Sequence, residues 1–200
     1  LVNLSKILYK NKDYEHAIIA ANDALSLGSS VEYSDPTPSL FDRFYSLLVL
    51  KRFTEAISTI SAIEQLRGQD FKIIEAYTAI SDYAMKSNDY AIATTYAKKA
   101  LELQTKAKIN TFSPKINFNY SEASLKTDNL GEALDEAKFI LNMKLGPEDR
   151  LHALNLISEI YIRQKQFKLA RPYLNECSDS NFVSPYKDAC KAKLDMIGKS

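Results

Sequence analysis

Residues 88–103 read Asn88-Asp89-Tyr90-Ala91-Ile92-Ala93-Thr94-Thr95-Tyr96-Ala97-Lys98-Lys99-Ala100-Leu101-Glu102-Leu103, and this stretch decides the fold. Tyr90, Ala93, Ala97 and Ala100 stand three, four and three residues apart, which puts them on one stripe of an α-helix. Three of the four are alanine. Small side chains let two helix backbones come close, and the ring at the start fills the gap where the helices diverge.

The stripe recurs along the chain. It reads Tyr14, Ala17, Ala21, Ala24; then Phe53, Ala56, Ile60, Ile63; then Leu130, Ala133, Ala137, Ile140; and last Phe167, Ala170, Leu174, Cys177. The leading bulky residues are separated by 39, 37, 40 and 37 residues, a period that marks a repeat array. Upstream of each stripe lies a second apolar-periodic segment: Leu1, Leu4, Ser5, Leu8 in the first copy, Tyr77, Ile80, Ser81, Ala84 in the third, Leu154, Ile157, Ser158, Tyr161 in the fifth. Ser5, Ser81, Ser121 and Ser158 share one position, where a small residue permits tight crossing. The second copy departs, with Phe44 there and Arg43 in place of an apolar residue.

Punctuation agrees with paired helices. Thr37-Pro38, Ser113-Pro114 and Ser184-Pro185 read as an N-cap followed by proline, Gly146-Pro147 opens the fifth copy, and Asp70 is a cap for the third. Short polar turns at 10–13, 86–89, 126–129 and 164–166 split each copy into antiparallel helices. Pro172 falls inside an expected helix and would bend it or delay its start. The expectation is an all-α solenoid of five hairpins and an eleventh, capping helix. Its approximate boundaries are 1–36, 37–69, 70–110, 113–146, 147–182 and 185–197. The chain opens directly on a packing helix, as a piece of a longer array would. Lys187, Lys191, Lys193 and Asp195 give the last helix a polar face, as a terminal cap requires.

Small residues in the first helix, an aromatic opening the second, and alanines three and ten residues later resemble tetratricopeptide repeats. Residues 88–103 are the nearest match and 13–25 almost as near, while the resemblance spans all 200 residues. The copies exceed the ~34 residues usual for the family, and tryptophan is absent. The resemblance implies a right-handed superhelix whose first helices line a concave groove that binds protein segments. Carried onto this chain, the groove positions are Val2, Lys6, Tyr9; Phe41, Tyr45, Leu48; Thr78, Asp82, Met85; Phe118, Glu122, Leu125; and Asn155, Glu159, Ile162. Tyr9, Tyr45, Met85, Phe118 and Ile162 are apolar anchors, or else they fill the interior. Asp82, Glu122 and Glu159 favour Lys or Arg on a partner, with Asn155 beside them. A clamp for a terminal carboxylate is disfavoured, since only Lys6 and Asn155 suit one.

Other classes fare worse. Twenty-six basic and 25 acidic residues leave a formal charge of +1, without the excess a nucleic-acid binder carries. No apolar run reaches the ~20 residues that span a bilayer. The two histidines, His16 and His152, fall in different copies and lack a nucleophile nearby, His16 reading as a solvated or capping residue. The five glycines form no phosphate loop, and Glu132 and Asp135 read as a solvated face with Lys138. No enzyme, cofactor or metal is expected. Cys177 and Cys190 are either two small buried thiols or a disulfide fastening the last helix. A bridge would place the protein outside the cytoplasm, as in a bacterial periplasm; free thiols would suit the cytoplasm. The expected function is a non-catalytic scaffold that binds an apolar and basic partner segment within a larger assembly. The alternative is a structural module that dimerises through repeat faces.

Overall fold

Among the described residues five that are not glycine hold a left-handed backbone: Lys12, Lys51, Asn88, Asp128 and Lys165, with φ between 59° and 63°. Each lies in a turn between two helices, and the next residue's amide bonds to a carbonyl five positions back. Those bonds run Asp13 to Leu8 (3.0 Å), Arg52 to Leu47 (2.9 Å), Asp89 to Ala84 (2.9 Å), Asn129 to Ser124 (2.8 Å) and Gln166 to Tyr161 (2.8 Å). This closure satisfies carbonyls that the helix end leaves open and reverses the chain. The five turns carry the period of the sequence repeat. Aligned on them, Phe44 falls where Ser5, Ser81, Ser121 and Ser158 stand, so the second copy is in register and its departure is real.

The computed structural model describes residues 2–28, 35–67, 71–107 and 114–198, apart from the side chains of residues 2, 27, 28 and 67. Its described residues form eleven helices and no strand: α1 Val2–Lys10, α2 Tyr14–Gly28, α3 Thr37–Val49, α4 Phe53–Arg67, α5 Phe71–Lys86, α6 Tyr90–Lys106, α7 Lys115–Lys126, α8 Leu130–Leu141, α9 Pro147–Arg163, α10 Phe167–Asp179 and α11 Pro185–Gly198. The fold is a helical solenoid. Leu1, Asp70, Ser113 and the Val2 side chain lie outside what is described. Thr37 starts its helix rather than capping it, because the Asp35 carboxylate accepts its amide at 3.0 Å. Ser184 accepts the Tyr186 amide at 3.2 Å ahead of Pro185. Pro172 sits exposed within α10 and does not delay its start.

Within a hairpin the stripe packs as expected. Ala17, Ala56, Ala93, Ala133 and Ala170 are fully buried. Ser81 donates its hydroxyl to the Ala93 carbonyl (3.1 Å) and Ser121 to that of Ala133 (2.7 Å), pinning first helix to second. Phe44 fills the equivalent place by bulk, and Arg43 beside it buries its Nε with no hydrogen-bond partner.

Between hairpins, each first helix packs on the next: α1 on α3, α3 on α5, α5 on α7, α7 on α9, α9 on α11. The backbones of successive second helices do not touch. The array therefore curves with its first helices inside. On the outside, long side chains bridge the spread hairpins, Arg52 to Glu15 (3.1 Å) and Lys98 to Glu132 (3.1 Å). Glu132 is thus a bridging residue, not part of a solvated pair with Lys138, whose ammonium lies over the Tyr161 ring. Helix α11 takes the place of a next first helix, on both α9 and α10. That placement turns Lys193 inward, off the polar face expected for it. Cys177 and Cys190 are fully buried and bridged, with Cα atoms 6.1 Å apart.

Candidate functional site: the concave face

The left-handed turn residues supply a common register for this face. Six residues before each stand Lys6, Tyr45, Asp82, Glu122 and Glu159. In the third, fourth and fifth copies this residue reaches across to the next first helix. Asp82 pairs with Lys115 there and accepts from Asn119 Nδ2 at 2.5 Å. Glu122 pairs with His152 Nε2 at 2.5 Å. Glu159 pairs with Lys193 Nζ at 2.9 Å, and that ammonium also donates to Asn155 Oδ1 at 2.8 Å. The three groove carboxylates therefore already have nitrogen partners within the chain, ammonium groups at Asp82 and Glu159 and an imidazole at Glu122. In the second copy the partners are Tyr45 and Glu75, and among the described residues Glu75 meets no cation.

Aromatic rings fill the amino-terminal part of the face. Tyr9 lies between Tyr14 (5.7 Å) and Tyr45 (6.4 Å), and Tyr45 also contacts Phe44 (4.9 Å) and Phe41 (6.3 Å). Burial raises the Tyr9 hydroxyl pKa, with smaller contributions from Tyr83, Tyr14 and Asp42. Burial, then the negative charge of Glu75, pushes that of Tyr45 up to about 12. Both stay neutral hydroxyls at physiological pH.

Two adjoining clefts open there. One, about 470 Å³, is lined by Tyr45, Phe71, Ile74, Glu75, Ala79 and Ile116 among others. The second, about 500 Å³, runs past Lys6, Phe41, Asp42, Tyr45, Lys72 and Glu75. Tyr45 and Glu75 form the wall they share.

The carboxy-terminal part holds a third cleft of about 470 Å³, lined by Lys115, Phe118, Asn119, Glu122, His152 and Tyr186 among others. Phe118 is buried and its ring stacks on His152 (4.1 Å), which stacks on Tyr186 (4.2 Å). These three rings tie α7, α9 and α11 together. Met85 rests half-buried on Ala84, Ala93 and Ala123. Ile162 packs on the carboxy-terminal core. Leu48 and Leu125 are core residues and do not line the groove. Sequence reasoning missed His152, Glu75 and Lys193 as parts of this face. The first two share with Lys115 the position thirteen before a turn residue, a signal visible only once the hairpins are in register. His16 is exposed and paired with Asp13 at 2.8 Å. Among the described residues no three His, Cys, Asp or Glu gather to hold a metal, and no helix is long and apolar enough to cross a membrane.

A family model described as tetratricopeptide repeat matches residues 74–106 and 151–182. The first match is α5 with α6, the second most of α9 with α10. This chain is a tetratricopeptide-like helical-repeat protein. Solved structures agree on the fold of the whole tetratricopeptide-like array. YrrB, described as a TPR protein with an unusual peptide-binding site, superposes with a TM-score of 0.68 at 15% identity, over 97% of this chain and 90% of that one. A MamA protein gives 0.66 at 15% identity, over 96% and 91%. Putative kinesin light chain TPR-like repeats from Podosopora anserina give 0.60 at 15% identity, over 98% and 94%. No curated protein matches the sequence significantly.

Proposed function

We propose that this tetratricopeptide-like array is a non-catalytic scaffold that holds a segment of a partner protein on its concave face, within a larger assembly. The observation that carries the reading is the pair of clefts on either side of Tyr45, walled by apolar rings and edged by charge. Aromatic walls anchor apolar side chains, and carboxylates select basic ones. Asp82, Glu122 and Glu159 keep acceptor capacity for a partner, since an ionised carboxylate has about four lone-pair sites and each internal pair uses only part of them. The peptide-binding description of YrrB fits this reading.

The test is capture of partners from native lysate by wild type, by Tyr45→Ala, and by Glu122→Gln/Glu159→Gln. A partner held by wild type and lost by the groove variants supports the scaffold. Equal capture by all three baits contradicts the concave face as its site.

A second reading, self-association, is favoured by the first hairpin. Leu4 and Ile7 are 44% and 54% exposed, whereas Ile157 and Ile160, their counterparts in the fifth copy, are fully buried. Sedimentation of purified protein over a hundredfold range of concentration would reveal a dimer. A monomer throughout would end this reading.

A further inference from the structure

The paired carboxylates show what the open part of the groove lacks. In the third, fourth and fifth copies the array meets its own groove carboxylate with a nitrogen group, the ammonium of Lys115, the imidazole of His152 and the ammonium of Lys193 in turn. In the second copy the same two positions hold Tyr45 and Glu75, so the carboxylate has moved to the other member of the pair, and among the described residues it forms no ion pair. Glu75 is exposed and stands where both clefts meet. The nearby cations are engaged elsewhere: Lys115 with Asp82, and Lys72 with its ammonium over the Phe41 ring at 5.7 Å. Lys6 lines the cleft on the α1 side together with Glu75, and among the described residues the two form no ion pair.

The clefts add shape to this charge. Phe71 is 49% exposed and lines the first cleft with Ile74 and Ala79 of its own helix and Ile116 of α7. An apolar side chain placed there would cover chiefly the exposed Phe71 ring, worth roughly 25 cal/mol for each Å² removed from water. Tyr45, half-buried, lines both clefts beside Glu75, and an aromatic ring beside a carboxylate suits a cation.

We infer that the amino-terminal half of the groove recognises a short segment in which a Lys or Arg, seated on Glu75 and the Tyr45 ring, neighbours an apolar side chain seated between Phe71 and Ile116. This rests on the scaffold reading and narrows it to one part of the face and one charge pattern. It assigns this pair of side chains to α3, α5 and α7, beside the internally paired carboxylates Asp82, Glu122 and Glu159 further along the face.

The probe is a random 12-residue peptide library displayed on phage, selected on the immobilised full chain, with enriched peptides then titrated against wild type, Glu75→Gln and Glu102→Gln. Glu75 is exposed, so its substitution leaves the fold intact, and Glu102 is an exposed control on α6. Enriched peptides should share a Lys or Arg within four residues of an apolar residue. Affinity should fall about tenfold with Glu75→Gln and stay unchanged with Glu102→Gln. Replacing the peptide's basic residue by Ala should then cost nothing further in the Glu75→Gln protein. Acidic enriched peptides, or no loss with Glu75→Gln, would overturn this inference; the scaffold reading would survive if Tyr45→Ala still abolished binding. No enrichment above background would overturn both.

Discussion

The Ser121 hydroxyl donates to the backbone carbonyl of Ala133 at 2.7 Å, with both residues fully buried. One position thus sets how closely the two helices of a hairpin approach. Its occupant is small in four copies and a phenyl ring in the second. Exchanging occupants should therefore destabilise in both directions. Ser121→Phe overpacks a close crossing, costing ~1–3 kcal/mol or more. Phe44→Ala leaves a cavity and costs ~3–5 kcal/mol. Urea denaturation of both variants measures this, and near-neutral Ser121→Phe would show that the crossing is not sterically set.

The left-handed turn residues should respond to glycine according to their type. Lysine gains nothing from this conformation, whereas asparagine tolerates it through its short polar side chain. Lys165→Gly should raise stability by ~0.5–1 kcal/mol, and Asn88→Gly by less. Thermal melts of the two variants compare them directly. A loss at Lys165 would mean that its side chain, not its backbone, matters.

Glu136 gives the pH dependence a clear sign. Burial raises its pKa, only partly offset by the hydrogen bond from Asn117 Nδ2 at 2.6 Å. The folded state then holds this proton more tightly than the unfolded one, whose ordinary Glu pKa is about 4.3. Its contribution to stability falls as pH rises through that value toward the folded pKa. Glu136→Gln, which keeps an acceptor for Asn117, should be more stable than wild type at pH 7 and lose that advantage near pH 4. Denaturant titrations at both pH values decide it, and a Gln variant weaker at pH 7 would reverse the assignment.

The bridge between Cys177 and Cys190 closes a short loop around the start of α11. Closing a loop of that size removes ~3 kcal/mol of unfolded-chain entropy. In Cys177→Ala/Cys190→Ala, amide exchange should quicken throughout residues 185–198 while residues 151–161 stay protected. Unchanged protection of α11 would show that the Phe118, His152 and Tyr186 rings and the Lys193 pair hold it unaided.

Much of the fold was legible because its cause is local. The alanine stripes are a helical periodicity, and their spacing alone gives hairpins of the right length and number. Asn88 and Asp128 are residue types that suit a left-handed turn; Lys12, Lys51 and Lys165 give no such signal. The concave face was legible only in part: Tyr45, Asp82, Glu122 and Glu159 share one register, whereas Leu48 and Leu125 lie in the core. Glu122 meets His152 and Glu159 meets Lys193 across a whole hairpin, and no pattern within one copy announces such pairs. Lys193 turns inward for the same reason: its surroundings come from α9, not from its own helix.

The most direct measurement is backbone amide hydrogen exchange of the full chain with and without a captured partner or enriched peptide. The account predicts added protection in residues 41–48 and 71–85, on the helices that line the two clefts, with the second helices unchanged. Protection confined to α2, α4 and α6 would place binding on the outer face and contradict the central claim.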